Sequence, residues 1–384
     1  MGIKIKNVYD KVVSPENLYR SAHRTLLKGL RYKENGAGWK LRLEYHINKL
    51  HRQLSDLSYT HGKYQVFKVY DPKERTILAA SITDRVVHHA LHDVIEPLID
   101  RKFIHHSYAC RKGKGQHAGV KAAKAMLQAN DYFIHLDVKK FFYNIHRPTL
   151  LTITRRTIKD EKADRLLAHI IDSSVKHAFY SPVAASTQLS LFDEIPRVNA
   201  TGLPTSERGL PIGNLTSQLL ANWYLNEVDQ FIKHELKHSA YIRYMDDMVI
   251  FGNQAKNLNR VEKEISAFCN ARLMLSLHDS GGASPYHHGL TFLGFRIFRD
   301  HTRVKSASVA RFRRKLSYHI HHTDYRTKSG FKELFARTQS WNAHAACADT
   351  WHLRSEVFGE YPVTEFMMKN RFKIKAINRI LQWN

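Results

Sequence analysis

The sequence predicts an α+β protein in which helical segments alternate with short antiparallel hairpins, and three stretches carry this prediction. Residues 64–80 contain two β-prone runs around an Asp-Pro turn, which is the pattern of a hairpin. Residues 241–252 place apolar and aromatic runs on both sides of Asp246 and Asp247, so a second hairpin is expected to present two carboxylates at its turn. Residues 290–298 form a third pair of strands, and leucines at helical intervals fill much of the remaining chain.

An excess of positive charge is the unusual feature of the composition. The 384 residues include 60 Lys and Arg against 35 Asp and Glu, for a formal net charge of +25. Such an excess attracts phosphate backbones, so nucleic acid is the expected partner and an anionic membrane surface is the competing one. No apolar run approaches the roughly 20 residues of a membrane span, and no secretory signal is evident. We therefore expect no membrane association and a cytoplasmic location.

The cysteine pattern agrees with that location. Cys110, Cys269 and Cys347 are odd in number and far apart, so they form neither a disulfide framework nor a Cys-x-x-Cys metal site. We expect reduced thiols.

Residues 1–60 predict basic amphipathic helices. Apolar residues recur at helical intervals with Lys and Arg between them, and Gly36 and Gly38 are expected to separate two helices. The segment is either an ordinary helical pair or a basic extension that binds nucleic acid, and the two interpretations are compatible.

Cations follow in the next two segments. The hairpin over 64–80 carries Lys73 and Arg75 near its turn, where they are either surface cations or ligands of a triphosphate. Ser81 is the expected N-cap of the helix that follows. Residues 101–125 are rich in Lys, Arg, His and Gly, but they lack the spacing of a P-loop.

A third carboxylate gives the Asp246-Asp247 pair a function. Alone, that pair is more often a solvated turn, although its flanks are too apolar for a surface loop. The apolar strand over 132–136 delivers Asp137 at its end. Three carboxylates can hold two divalent ions for in-line phosphoryl transfer, one ion activating a 3′-hydroxyl and the other neutralising pyrophosphate. Oxygen ligands suit Mg²⁺.

The second half of the chain adds a loop, a glycine motif and a basic helical module. Residues 181–208 are small, polar and Pro-containing, which predicts a loop or insertion. Gly213 precedes a long helix, where a glycine permits close approach of a base pair or phosphate. Residues 303–337 predict a helical module that holds a duplex by its phosphates, and 340–354 predict one further helix. A basic, aromatic tail follows residue 360.

The order of Asp137, Gly209–Gln218 and Tyr244–Asp247 resembles the reverse transcriptases over about residues 10–355. Within that superfamily, four short motifs resemble the diversity-generating retroelement enzymes, and related antiphage-defence reverse transcriptases share parts of the pattern. The motifs are Ser107-Tyr108-Ala109-Cys110-Arg111, Ile212-Gly213-x-x-x-Ser217-Gln218, Phe292-Leu293-Gly294 and Ser340-Trp341-x-x-His344.

The resemblance implies a right-hand polymerase fold with fingers, a palm built on an antiparallel sheet, and a helical thumb. The implied segments are a basic N-terminal helical extension at 1–60, fingers at 61–135, a palm at 136–300, a thumb at 301–358 and a C-terminal tail at 359–384. The implied activity is RNA-directed DNA polymerisation with two Mg²⁺ ions, Mn²⁺ being a possible substitute.

The resemblance also assigns roles to single residues. Asp137, Asp246 and Asp247 would be catalytic metal ligands, and the Val138 backbone would complete a metal shell. Phe142 stands at the position of the steric gate that excludes a ribose 2′-hydroxyl. Lys73 and Arg75 would contact the incoming triphosphate. Ile212 and Gln218 would line the nascent base pair and the template. Phe292, Leu293 and Gly294 would form the primer grip.

Departures from the family pattern leave the biological role open. The lysine that often acts as a general acid for pyrophosphate is absent from 275–279, so that role falls to His278 or to no residue. The absence of a zinc or nuclease motif after the thumb argues against a multidomain group II intron protein. The segments 181–208 and 359–384 slightly favour antiphage defence over mutagenic retrohoming. A template-independent or protein-primed polymerase on the same fold is a further alternative.

The expected partners follow from the same resemblance. They are dNTPs, a structured noncoding RNA as template, a DNA or RNA primer with its cDNA product, and a small accessory protein or a second copy of the chain.

Overall fold

The computed structural model of the protein describes residues 4–27, 34–70, 74–176, 178–179, 207–324 and 327–369. Lys73, nearly all of the predicted insertion and the tail from residue 370 lie outside these residues. The helices are α1 (Tyr9–Val13), α2 (Pro15–Thr25), α3 (Glu34–Leu41), α4 (Leu43–Ser55), α5 (Ile82–Asp100), α6 (Gln116–Ala129), α7 (Phe141–Asn144), α8 (Arg147–Thr157), α9 (Glu161–Lys176), α10 (Leu215–Gln230), α11 (Ala255–Leu273), α12 (Ser306–His322), α13 (Lys328–Ala345), α14 (Trp351–Gly359) and α15 (Pro362–Lys369).

The strands are short and mostly antiparallel. They are β1 (Tyr64–Val69), β2 (Arg75–Ala79), β3 (Tyr132–Asp137), β4 (Ala178–Phe179), β5 (Tyr241–Tyr244), β6 (Asp247–Gly252), β7 (Ser284–Pro285), β8 (Leu290–Phe292), β9 (Phe295–Ile297) and β10 (Thr302–Val304). They form sheets in the orders β2-β1-β4, β5-β6-β3-β7 and β10-β9-β8. All three hairpins expected from the sequence are present.

Local signals explain where several helices begin. Ser14 caps α2 by accepting a hydrogen bond from the Asn17 amide at 3.3 Å, and Pro15 occupies the first helical position. Ser81 caps α5 in the same way through the Asp84 amide at 3.2 Å, as predicted.

Two expectations about helix boundaries are wrong. Gly36 and Gly38 do not separate two helices, since both lie inside α3 and the break falls at Arg42. The stretch 340–354 is not one helix either, because α13 ends at Ala345 and α14 begins at Trp351. Glycine disfavours a helix by only about 1 kcal/mol, which tertiary packing readily overrides.

The chain divides into two units that do not coincide with the predicted linear segments. The first comprises residues 1–113, 136–248 and 260–280, and the second comprises 114–135, 249–259 and 281–384. The strands β3 and β6 and the helix α11 each contribute residues to both. The fingers, palm and thumb boundaries given above stay predictions.

The first unit has an apolar core around α10. Most residues of this helix are buried, which is why its apolar positions run all round rather than along one stripe. The helix continues from Phe231 to Glu235 in a π-helical turn. Because α10 is buried within its own unit, it is a rigid support for the Gly213 segment that leads into it.

The second unit combines a small sheet with helices. The strand β9 lies between β8 and β10, and pairs antiparallel with both. Among the residues that the structure describes, no helix is long and apolar enough to cross a membrane.

Candidate active site

The turn between β5 and β6 presents the paired carboxylates. Met245 and Asp246 form a two-residue loop, and Asp247 is the first residue of β6. Met245 has φ 57°, a left-handed conformation that costs an ordinary side chain about 1–2 kcal/mol. The aspartates are partly exposed, whereas Ile242 and Met248 on the flanking strands are fully buried. The apolar flanks thus fix the turn that carries the two carboxylates.

A fully buried ion pair holds this turn from behind. Arg243 donates to Asp229 of α10 through Nε at 2.7 Å and through Nη2 at 2.5 Å. The Arg243 Nη1 group donates to the Met245 carbonyl at 3.0 Å and to Asn222 Oδ1 at 2.9 Å. Although burial lowers the pKa of Arg243, the charge and hydrogen bond of Asp229, together with Tyr241 and Asp246, raise that pKa above its ordinary value.

Sequence reasoning missed Arg243. Its signal was a charged residue inside a strand that is otherwise apolar, but the partner lies 14 residues away on a helix. The guanidinium supplies a fixed hydrogen bond to the Met245 carbonyl, so it positions the turn that carries Asp246.

The motif Ser107–Arg111 supports the other side of β5. Arg243 donates its amide to the His106 carbonyl at 2.9 Å, and its carbonyl accepts from the Tyr108 amide at 3.0 Å. Arg111 in turn donates to Asp100 of α5 through Nε at 2.5 Å. The motif therefore adds a short parallel partner to the strand that leads into Asp246.

Asp137 lies at the end of β3, as predicted. Beyond it, Val138 forms an antiparallel bridge with Leu277. The Asp137 carbonyl accepts from the His278 amide at 2.8 Å, and the Lys139 amide donates to the Ser276 carbonyl at 2.9 Å. His278, the residue considered as a general acid, is exposed, and the backbone ladder places it next to Asp137.

The three carboxylates and one cation interact electrostatically. The pKa of Asp246 is raised to about 6, chiefly by burial and also by the charges of Asp137 and Asp247, while Arg75 lowers it. Like charges close to a partly buried carboxyl group disfavour its ionised form, and a bound cation would relieve that repulsion. The structure thus brings Asp137, Asp246, Asp247 and Arg75 to one place.

The donor set fits divalent magnesium. Three carboxylates offer only oxygen ligands, and their mutual repulsion is relieved by a cation. Within the described part of the chain, no three His, Cys, Asp or Glu side chains are already arranged to hold a metal ion. Coordination at Asp137, Asp246 and Asp247 therefore requires these side chains to draw together.

The hairpin that carries Arg75 touches the Gly213 motif. The Leu78 amide donates to the Ile212 carbonyl at 2.9 Å. Gly213 has φ 119°, and a Cβ placed on it would lie 3.0 Å from Ile77 Cγ2 and 3.1 Å from the Leu78 carbonyl oxygen. Gly213 therefore approaches the strand β2 closely, and its approach to a base pair or phosphate stays a prediction. This contact couples the Arg75 strand to the start of α10.

A buried polar network supports the same segment. His61 and His88 share a hydrogen bond between their Nε2 atoms at 3.2 Å, and His88 Nδ1 lies 3.3 Å from the hydroxyl of Thr216. Asn214 donates to the Tyr64 hydroxyl at 2.9 Å. Burial, followed by the nearby His61, His89 and Arg85, holds the pKa of His88 well below its usual value. The buried network thus favours the neutral form of His88.

Two further predicted residues lie in the first unit. Phe142 is partly exposed on α7, and its carbonyl accepts from the Leu210 amide at 2.8 Å. Gln218 is exposed on the first turn of α10 and accepts a hydrogen bond from the Cys110 thiol at 3.4 Å. Both side chains are accessible to a ligand.

The predicted primer grip belongs to the second unit. Leu293 and Gly294, with φ 51° and 85°, form the two-residue loop between β8 and β9. Phe292 is buried, so its ring supports the loop instead of meeting a ligand. Lys73 is not among the described residues.

A family comparison identifies the family of the chain. A family model described as reverse transcriptase (RNA-dependent DNA polymerase) matches residues 68–297, more than half of the chain. The chain belongs to the reverse transcriptase family. This membership confirms the predicted right-hand polymerase fold, and the matched domain is that of an RNA-directed DNA polymerase.

Individual relatives are distant. Protein YkfC of Escherichia coli K12 is 25% identical over 296 residues, which cover 65% of this chain and 71% of that protein. The group II intron-encoded protein LtrA of Lactococcus lactis subsp. cremoris is 23% identical over 253 residues, covering 63% of this chain and 38% of LtrA. A putative COX1/OXI3 intron 1 protein of Saccharomyces cerevisiae is 20% identical over 203 residues, covering 51% of this chain and 22% of that protein. The chain thus spans well under half the length of the two intron proteins.

Proposed function

We propose that the protein copies RNA into DNA by two-metal nucleotidyl transfer at Asp137, Asp246 and Asp247. The observation that carries this proposal is the position of Asp246, in a strained turn where the charges of Asp137, Asp247 and Arg75 all act on its carboxyl group. Bound Mg²⁺ ions would activate the primer 3′-hydroxyl and neutralise the leaving pyrophosphate. The Val138 backbone would complete the ligand set.

The remaining residues bind and orient the substrates. Arg75, at the exposed start of β2, would donate to the triphosphate with Lys73. Phe142 would exclude a 2′-hydroxyl, which makes the enzyme selective for dNTPs. Ile212 and Gln218 would contact the nascent pair and the template, and the Leu293-Gly294 loop with Phe292 beneath it would hold the primer.

A direct test uses primer extension with dNTPs on an RNA template. Asp246→Ala should abolish Mg²⁺-dependent incorporation, and chelation of the metal should abolish it in the unaltered protein. Asp10→Ala, which removes an exposed carboxylate from α1, should keep full activity. Undiminished incorporation by Asp246→Ala would refute the assignment. Sequencing the product distinguishes templated synthesis from a template-independent or protein-primed reaction, since only the former is complementary to the supplied RNA.

Phe142 offers an independent test of nucleotide selection. Shortening this side chain in Phe142→Ala should raise ribonucleotide incorporation relative to deoxyribonucleotide incorporation, because the ring no longer blocks a 2′-hydroxyl. The same ratio in both proteins would exclude the gate role. The measurement is the ratio of kcat/KM for UTP and dTTP in single-nucleotide extension.

We further propose a dedicated structured RNA as template in the cytoplasm, with antiphage defence slightly favoured over diversification. The similarity to intron-encoded proteins supports a retroelement-like substrate, and the net charge of +25 supports RNA binding. A small accessory protein or a second copy would complete the complex. Sequencing the nucleic acid that co-purifies from cells tests the role: a fixed cDNA of one noncoding RNA supports defence, whereas a variable-repeat template refutes it in favour of diversification.

A further inference from the structure

A cavity of about 780 Å³ lies among α6, α12 and α13 of the second unit. This volume is within the range of small-molecule sites in proteins. Its apolar wall is formed by Phe312, Leu316, Leu334 and Trp341. The Ser340-Trp341-x-x-His344 motif contributes three of the residues that line it, and the polymerase reaction gives this motif no role.

The aromatic wall is already ordered. The rings of Phe312 and Trp341 stack at 4.3 Å with an interplanar angle of 3°. Trp341 is only 8% exposed, and its indole Nε1 is buried without a hydrogen-bond partner among the described residues. A buried donor without an acceptor destabilises the free protein, so a small rotation that offered it to an entering acceptor would be favourable.

The polar wall is positively charged. Lys315, Arg337 and His319 line the cavity together with the apolar residues, and none of the described lining residues is Asp or Glu. Arg337 is oriented by Glu333, which it contacts at 2.8 Å from outside the lining. An anionic group at the cavity wall would therefore meet Lys315 and Arg337, with the Glu333 carboxylate behind Arg337.

The cavity adjoins the loop between β8 and β9. Gln116, which lines the cavity, donates to the Leu293 carbonyl at 2.5 Å. His344 lines it as well, and its ring lies 4.4 Å from that of Phe295. A molecule in the cavity would contact side chains that support the Leu293-Gly294 loop.

We infer that this cavity binds one nucleotide, with the base against the aromatic wall and the phosphate at Lys315 and Arg337. An aromatic wall beside cations matches a base joined to a phosphate, and every base presents a π-face to an aromatic side chain. The occupant is a nucleotide of a bound RNA strand or a free ribonucleotide, which share this chemistry. The inference goes beyond the polymerase reaction, since binding requires neither Asp246 nor a divalent metal.

The test is photo-crosslinking of the full chain in EDTA, with a single-stranded RNA that contains 5-iodouridine. Mass spectrometry of the digested protein should locate a crosslink on the α12 or α13 peptides that line the cavity. Trp341→Ala should lower the yield there at least about fivefold, as expected for loss of base stacking. Asp246→Ala should leave the yield unchanged, which separates this inference from the catalytic proposal.

Two surface variants provide a matched control that does not depend on core packing. Lys315 and Arg314 are adjacent exposed cations on α12, but only Lys315 lines the cavity. Lys315→Ala should lower the fraction of all crosslinks that fall in the cavity several-fold, whereas Arg314→Ala should leave that fraction unchanged. Equal effects of the two variants would overturn the proposal.

The remaining outcomes are also decisive. Crosslinks elsewhere in the protein with none in the cavity would overturn the proposal. This result is expected if a protein segment fills the cavity. If free 5-iodouridine monophosphate labels the same peptide and unlabelled RNA does not compete, the ligand is a free nucleotide. If RNA labels it and excess monophosphate does not compete, the ligand is a nucleotide of a strand. Both results support the inferred chemistry.

Discussion

The buried pair Arg243–Asp229 supports a quantitative prediction, because both side chains are fully buried and each is the other's counter-charge. Removing one partner leaves an uncompensated buried charge, which costs about 3–5 kcal/mol. Arg243→Met and Asp229→Leu should each lower the free energy of unfolding by that amount. The double variant removes both charges, and its loss should be much smaller than the sum of the two single losses.

Stability and catalysis should separate in that double variant. The Met245 carbonyl loses the 3.0 Å hydrogen bond from Arg243, and a bond from a charged donor contributes about 1.5–3 kcal/mol. If this bond holds the turn in its reactive geometry, dNTP incorporation should fall at least about tenfold, since 1.36 kcal/mol corresponds to a factor of ten in rate. The double variant would keep the fold, but the Met245-Asp246 turn would change its position.

The assays are urea unfolding followed by circular dichroism and primer extension on an RNA template. Arg155→Met is the control, because its ion pair with Asp164 at 2.9 Å is largely exposed on the arginine side and should contribute at most about 1 kcal/mol. Single variants at the buried pair that cost no more than this control would refute the argument from burial. Full incorporation by the double variant would refute the positioning role of Arg243.

Two further predictions concern the support of α10. Gly213→Ala should lower both the stability of the protein and its rate of dNTP incorporation. The reason is that φ 119° is unfavourable for alanine and that the added Cβ would press on Ile77 and Leu78. An unchanged thermal unfolding temperature and an unchanged kcat would contradict this prediction. Since the pKa of His88 is depressed on folding, its contribution to stability is present above pH 6.5 and is lost as pH falls below it, by at most about 1.4 kcal/mol per pH unit. His88→Gln should flatten this part of the curve of unfolding free energy against pH, and an unchanged slope would exclude His88 as its source.

Local sequence patterns predicted the elements that carry the chemistry. The hairpin around Asp246 and the strand that ends at Asp137 follow from β-branched and aromatic runs that stop at polar residues. These signals lie within a few residues of the turn, so no knowledge of the tertiary structure is needed. Ser81 was predictable as an N-cap for the same reason.

Non-local contacts could not be predicted in this way. The pairing of Ser107 with Arg243 joins residues 136 positions apart, and nothing in either segment specifies the other. The role of Arg243 depends on Asp229 across a buried interface. Gly36 and Gly38 mislead because a glycine that usually ends a helix is tolerated within α3.

The ladder between Asp137 and residues 276–278 uses only main-chain atoms. Every amino acid except proline supplies the amide that holds His278 to Asp137, so the side chain at this position can be exchanged without moving the catalytic strand. A substitution at residue 278 can therefore change an exposed side chain while the main-chain hydrogen bond to Asp137 stays in place. Residue 278 is thus a position where the side chain can change while the strand that ends at Asp137 keeps its main-chain partner.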